Sequence, residues 1–155
     1  MHNRNTGILL TQRFEGFSPK IYRDSLGNLS IGYGFNINDP EIVKVLPKDV
    51  VYGKRDLSQE EARVMFDMFY KVATNDAINF IGQKAFDCLS QMQQDILIDI
   101  AYNLGYNRLS KFNKLRAAIQ QKDYQRACEE IKNSKWFSQV GVRGAHHYAN
   151  FYTSI

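Results

Sequence analysis

Residues 13–35 read RFEGFSPKIYRDSLGNLSIGYGF. The stretch leaves a helix and enters a β-hairpin. Thr6 is placed to cap a helix carrying Ile8, Leu9 and Phe14. Gly16 and Pro19 close that helix, which puts Glu15 on its last turn. Lys20–Asp24 and Leu29–Phe35 each alternate apolar with polar or small residues, and Gly27-Asn28 between them supplies turn chemistry. Asp24 then ends the first strand and Ser30 stands early in the second. Paired strands run about 5 Å apart, so Glu15, Asp24 and Ser30 can converge. Two carboxylates flanking a groove suit glycosidic bond cleavage: one protonates the leaving oxygen, the other acts on a water or on the sugar. An acid at a helix end and an acid beside a turn are also ordinary surface residues, and on the residues alone both readings stand.

Outside this segment the pattern is helical. Residues 36–57, with two prolines and Gly53, read as irregular. Ser58–Glu61 is a capping box, followed by Ala62, Met65, Phe66, Phe69, Val72 and Ala73 at spacings of three and four, one stripe of a long helix. A second helix starts at Ser90, carries Ile96, Leu97, Ile100, Ala101 and Leu104, and stops at Gly105. A third spans about Phe112–Ile131, a short one lies around Lys135–Phe137, and a last one follows Gly144. The expected fold class is mainly α, an α+β chain with one small antiparallel sheet near the N-terminus.

The chain of 155 residues suits one domain or two small lobes, and 44% hydrophobic with 23% charged residues is ordinary globular composition. No apolar run reaches the roughly 18 residues of a membrane span, and residues 1–16 show no signal-peptide pattern. From Arg108 onward nine Lys/Arg face three acids, leaving the rest of the chain with a net charge of −2 against the overall +4. A basic C-terminal region fits an anionic partner surface, or a solvated helix face. The absence of basic runs interleaved with stacking aromatics argues against nucleic acid. Cys88 and Cys128 are too far apart for a zinc or redox motif and read as buried free thiols. Adjacent His146 and His147 point in different directions on a helix; with His2 distant and no Cys/Asp cluster, no metal site and no cofactor are expected. Trp136 reads as core. Asp99, one turn before Asn103, is placed to share Arg143 or to lie exposed.

The spacing EG-(x)7-D-(x)5-S-IGYG strongly resembles the catalytic segment of the phage-type lysozymes, glycoside hydrolase family 24. That family has a Glu, an Asp nine positions on and a Thr six further, followed by an I-G-x-G strand; Glu15, Asp24 and Ser30 fall on these places. LSQEEARVMF resembles the start of the family's interlobe helix, IAYNLGYNRLSKF its FN-x-G segment, and NSKWFSQVGVRGAHHY its Trp segment and Arg-bearing helix. The resemblance implies one lysozyme domain: an N-terminal lobe at about 13–57, an interlobe helix at about 58–80, and a helical lobe at about 81–155 with helix 6–15 packing near it. It implies a muramidase that cuts the β-1,4 bond between N-acetylmuramic acid and N-acetylglucosamine of bacterial peptidoglycan with inversion. Glu15 would be the general acid, Asp24 would stabilise the oxocarbenium-like transition state, and Ser30 would hold the water. Gly34, Phe35, Tyr102, Asn103 and Arg143 would meet substrate, with Arg143 near the acid and opposing its protonation. A monomer made in the host cytoplasm and acting on the periplasmic wall after release or delivery is expected. A lytic transglycosylase, a chitinase-like enzyme and a non-catalytic wall-binding module are the alternatives. The chain departs from the family in having Ser30 for Thr, and Phe35 where a histidine often follows the I-G-x-G strand.

Overall fold

In a computed structural model, residues 4–154 are described. Along the chain, α1 (Arg4–Glu15) leads into strands β1 (Ser18–Arg23), β2 (Leu29–Gly32) and β3 (Phe35–Asn36). Two short helices follow, α2 (Pro40–Val45) and α3 (Lys48–Val51), then the long α4 (Gln59–Ile81). Beyond it come α5 (Gln83–Cys88), α6 (Gln91–Leu104), α7 (Tyr106–Leu109), α8 (Asn113–Gln120), α9 (Tyr124–Lys132), α10 (Lys135–Val140) and α11 (Val142–Thr153). The helical chain with its small antiparallel sheet matches the α+β expectation. The residues fall into two compact units, one of Gln12–Phe69 and one of the residues up to Thr11 together with those from Tyr70 on.

In the Gln12–Phe69 unit the sheet has the order β1-β2-β3, antiparallel throughout. Tyr22 pairs with Ser30 and Arg23 with Leu29, and a bulge in β1 precedes Tyr22. The stretch Leu29–Phe35, which alternates like one strand, is two. Gly32 and Gly34 take φ of +67° and +75°, which reverses the chain so that Ile31 pairs with Phe35; only glycine enters this region without steric cost. The sheet's inner face is aromatic. Tyr33 meets Phe17, Phe35 and Phe66 at 5.6, 6.4 and 5.5 Å, and Phe35 meets Phe69 at 5.3 Å. Residues 36–57 are not irregular: Asp39 caps α2 by accepting from the Glu41 N–H, with Pro40 at the first helical position. The Ser58 capping box forms as expected. The Ser58 hydroxyl accepts from the Glu61 N–H at 3.1 Å, and Glu61 accepts from the Ser58 N–H at 3.0 Å. On α4 the expected stripe is buried at Ala62, Met65, Phe66 and Ala73, half-buried at Phe69 and exposed at Val72, and Tyr70 takes an inward place.

The other unit is built around α6. Ser90 caps it in a second capping box and Gly105 ends it. Every residue from Gln93 to Ala101 is buried, so this helix is a core element on all sides rather than an amphipathic surface helix. Its buried polar groups are paired: Asp95 accepts from Thr6 and Gln91 at 2.6 and 2.9 Å, and the Gln94 amide donates to the Phe86 carbonyl. Thr6 therefore bonds across to α6 instead of capping α1, which already begins at Arg4. The expected helix over 112–131 is two helices. Lys122 takes a φ of +58°, and Asp123 restarts the chain by accepting from the Arg126 N–H. The last helix starts at Val142, ahead of Gly144. Both cysteines are free, but only Cys128 is buried; Cys88 is exposed. Burial pushes the Cys128 thiol up to about 11, with the Glu129 charge adding to it.

Candidate active site

The loop after β1 fixes Asp24 with its own backbone. The Asp24 N–H donates to the Asn28 carbonyl at 2.9 Å, and the Gly27 N–H donates to the Asp24 carbonyl at 3.0 Å. One carboxylate oxygen, Oδ1, accepts from the Leu26 and Asn28 N–H groups at 3.0 and 2.8 Å. The aspartate thus shapes its turn, as its residue type favours. The second oxygen, Oδ2, accepts a long hydrogen bond from the Ser30 hydroxyl at 3.4 Å. Ser30 is fully buried on β2, opposite Tyr22 on β1 and Asn36 on β3.

Glu15 ends α1, half-buried, and its carboxylate lies against the Gly34 backbone. A Cβ on Gly34 would stand 2.1 Å from Glu15 Oε2 and 2.6 Å from Cδ. The carboxylate therefore occupies the space that a side chain at position 34 would fill. Glycine serves position 34 twice, by its positive φ and by its missing side chain. The sequence pointed to Gly34 only as a position that would meet substrate. That the approaching group is Glu15 follows from the Ile31–Phe35 turn, whose tip carries Gly34 next to the helix end.

Phe35 is 1% exposed and held between Tyr33 and Phe69, so its side chain belongs to the core and only its backbone is left to meet a ligand. Tyr102, Asn103 and Arg143 lie in the other unit. Tyr102 and Asn103 are half-buried near the end of α6. Asn103 Oδ1 accepts from the Trp136 indole N–H at 2.8 Å, which fixes the orientation of its amide. Trp136 is buried, as expected.

Arg143, 7% exposed, joins a polar centre that the sequence only half disclosed. Its Nε and Nη2 donate to the two oxygens of Asp99, each at 2.8 Å. Thr11 donates to Asp99 Oδ1 at 2.7 Å, and His147 Nε2 meets Oδ2 at 2.5 Å. Burial by itself would push the Asp99 carboxyl up. The Arg143 charge, with hydrogen bonds from His147 and Arg143, outweighs it and holds the carboxyl well below its ordinary range. The two histidines do not point apart: their Nδ1 atoms are 2.9 Å from one another.

The arrangement of Glu15, Asp24 and Ser30 on one helix end and one hairpin agrees with a match to the phage lysozyme family over residues 12–146. The chain belongs to the phage lysozyme family. Among similar proteins, "Probable T4-type lysozyme 2" of Dictyostelium discoideum is 26% identical over 141 residues, covering 83% of each chain. The pre-baseplate central spike protein Gp5 of Enterobacteria phage T4 is 24% identical over 151 residues. That alignment covers 88% of the present chain but 26% of the spike protein, so the likeness concerns one part of the larger molecule. Among the described residues of this family member, no helix is long and apolar enough to cross a membrane.

Proposed function

We propose that this phage lysozyme family member is a muramidase that hydrolyses the β-1,4 bond between N-acetylmuramic acid and N-acetylglucosamine in peptidoglycan, with inversion. The observation that carries the reading is the division of labour around the hairpin. One carboxylate sits at a helix end against a bare backbone, and a second faces a hydroxyl across a gap of 3.4 Å. Glu15 is the general acid that protonates the leaving oxygen. Asp24 Oδ2 and Ser30 Oγ hold and polarise the attacking water, while the Asp24 charge stabilises the oxocarbenium-like transition state. Gly34 and the Phe35 backbone line the glycan beside the acid. Tyr102, Asn103 and Arg143 supply further substrate contacts: an aromatic face, an amide and a cation. The biological setting that fits is degradation of a bacterial wall, with host lysis as its outcome.

Purified protein acting on peptidoglycan sacculi tests this. Fragments ending in reducing N-acetylmuramic acid, with the newly formed anomeric centre inverted in the first NMR spectra, support it. Anhydro ends would make the protein a lytic transglycosylase, a reaction for which the water-holding Asp24–Ser30 pair has no purpose. Binding to sacculi without new ends would make it a wall-binding module. Glu15→Gln keeps the side chain's shape but has no acidic proton to transfer to the leaving oxygen, so it should bind and not cleave; lysis at the wild-type rate would remove Glu15 from the mechanism.

A further inference from the structure

The loop that shapes Asp24 is held from outside by the last side chain of β1. The Arg23 backbone pairs with Leu29 of β2, and its Nη1 donates to the Gly27 carbonyl at 2.6 Å. Among the described residues, no other side chain from outside residues 24–28 hydrogen-bonds to the backbone of this loop. The guanidinium stays cationic, so its bond to the carbonyl is charge-assisted.

The peptide that Arg23 grips also holds the aspartate. The Gly27 carbonyl and the Asn28 N–H belong to one planar trans unit and point in opposite directions. That Asn28 N–H donates to Asp24 Oδ1 at 2.8 Å. Arg23 therefore holds one end of a rigid plate whose other end holds the carboxylate, and rotating the plate breaks both bonds. Gly27, at φ +83°, offers little resistance of its own to such a rotation. With the Leu26 N–H alone, at 3.0 Å, Oδ1 can swing about a single bond and Oδ2 swings with it. The Asn28 N–H removes that freedom and keeps Oδ2 on the Ser30 hydroxyl.

We propose that Arg23 is a positioning residue for Asp24: by holding the Gly27–Asn28 peptide it sets the direction of the carboxylate oxygen that meets Ser30. The consequence for rate rests on the water-holding role proposed above for Asp24 and Ser30. The competing role for an exposed cation at this place is direct attraction of an anionic glycan, which acts on KM.

Arg23→Ala and Arg23→Lys, measured on soluble glycan fragments, separate the two roles. Arg23 is exposed, so both variants should fold with a Tm near wild type. Arg23→Ala should lower kcat about three- to tenfold with KM within about twofold. Hydrogen exchange read by NMR reports the carboxylate bond itself: the Asn28 amide should exchange at least about threefold faster in Arg23→Ala. Arg23→Lys restores a cationic donor to the Gly27 carbonyl and should return both kcat and the Asn28 amide toward wild type. An Asn28 amide unchanged in Arg23→Ala overturns the proposal. So does a loss confined to KM, which marks a direct substrate contact, and so does a faster Asn28 exchange at full kcat. If the wild-type protein leaves both sacculi and fragments uncut, the muramidase reading falls, and the Asn28 amide alone decides whether Arg23 holds the carboxylate.

Discussion

Replacing Gly34 by alanine should separate activity from stability. The new Cβ would meet Glu15 Oε2 at 2.1 Å, Cδ at 2.6 Å and Oε1 at 3.2 Å. All three atoms belong to the far end of a flexible side chain, so the carboxylate can swing away and little of the fold need move. Reaching ordinary contact takes a retreat on the order of 1 Å. A displacement of that size in a reacting group costs about a hundredfold in rate, equivalent to about 2.7 kcal/mol in barrier. The stability cost comes mainly from φ of +75°, roughly 1–2 kcal/mol for a non-glycine residue. That lowers Tm by about 2–8 °C in a chain of this size. Gly53→Ala is the control: φ is +72° there, with nothing within 4 Å of the added Cβ, so it should show the same drop in Tm at full activity. Initial rates on sacculi at a temperature well below both melting points, with Tm from circular dichroism, give the two numbers. If Gly34→Ala keeps its rate within about twofold while its Tm falls as the control's does, the carboxylate position against Gly34 has no part in catalysis.

Ser30→Val should be about ten- to a thousandfold slower than Ser30→Thr, because the two share a shape and differ by the oxygen that faces Asp24; equal rates at equal Tm would make the hydroxyl structural. Ser30 is fully buried, so both variants must accommodate added bulk, and comparing them cancels that cost. Asp99→Asn takes the carboxylate charge from beside the buried Arg143 and His147 and should cost about 3–5 kcal/mol at neutral pH, read by urea unfolding. The folded-state pKa of Asp99 is depressed, so its contribution is complete above the unfolded value of about 4 and fades as pH falls below it. The stability gap between wild type and Asp99→Asn should therefore be constant from pH 7 to about 5 and narrow below about 4; a gap that stays constant down to pH 2 would contradict the depressed carboxyl. Ser58→Ala removes the capping-box acceptor at the start of α4 and should cost about 1 kcal/mol, visible as a Tm lower by about 2–4 °C with unchanged activity.

What the sequence made legible was local chemistry with a period or a cap. The Ser58 box, the helix start at Ser90, the stop at Gly105, Glu15 on the last turn of α1 and the Gly27-Asn28 turn all declare themselves within four residues. Asp39-Pro40 carried an equally local signal for α2, but the surrounding prolines and charges outweighed it. The reversal at Gly32–Gly34 was hidden because a two-residue alternation looks the same in one strand and in two short ones; only the two positive φ values separate them. The break at Lys122 was hidden for the opposite reason. A lysine in the left-handed region is rare, and the apolar positions on either side keep a helical spacing. The contact between the histidine rings depends on side-chain rotamers turning neighbouring residues toward each other, which the helical direction of their Cβ atoms does not reveal. Glu15, Asp24 and Ser30 were singled out by spacing and family resemblance; the contact of Glu15 with Gly34 and that between the histidine rings needed coordinates.

Asp24 gives one oxygen to its own loop and turns the other toward Ser30. The conformation of residues 25–28 and the placement of a reactive oxygen are therefore a single mechanical variable. A directed-evolution library drawn on those four positions would not sample harmless surface diversity. Every backbone that shifts the Leu26 or Asn28 N–H groups also rotates the carboxylate, so variants of this loop should be sorted first by rate and only afterwards by folding yield.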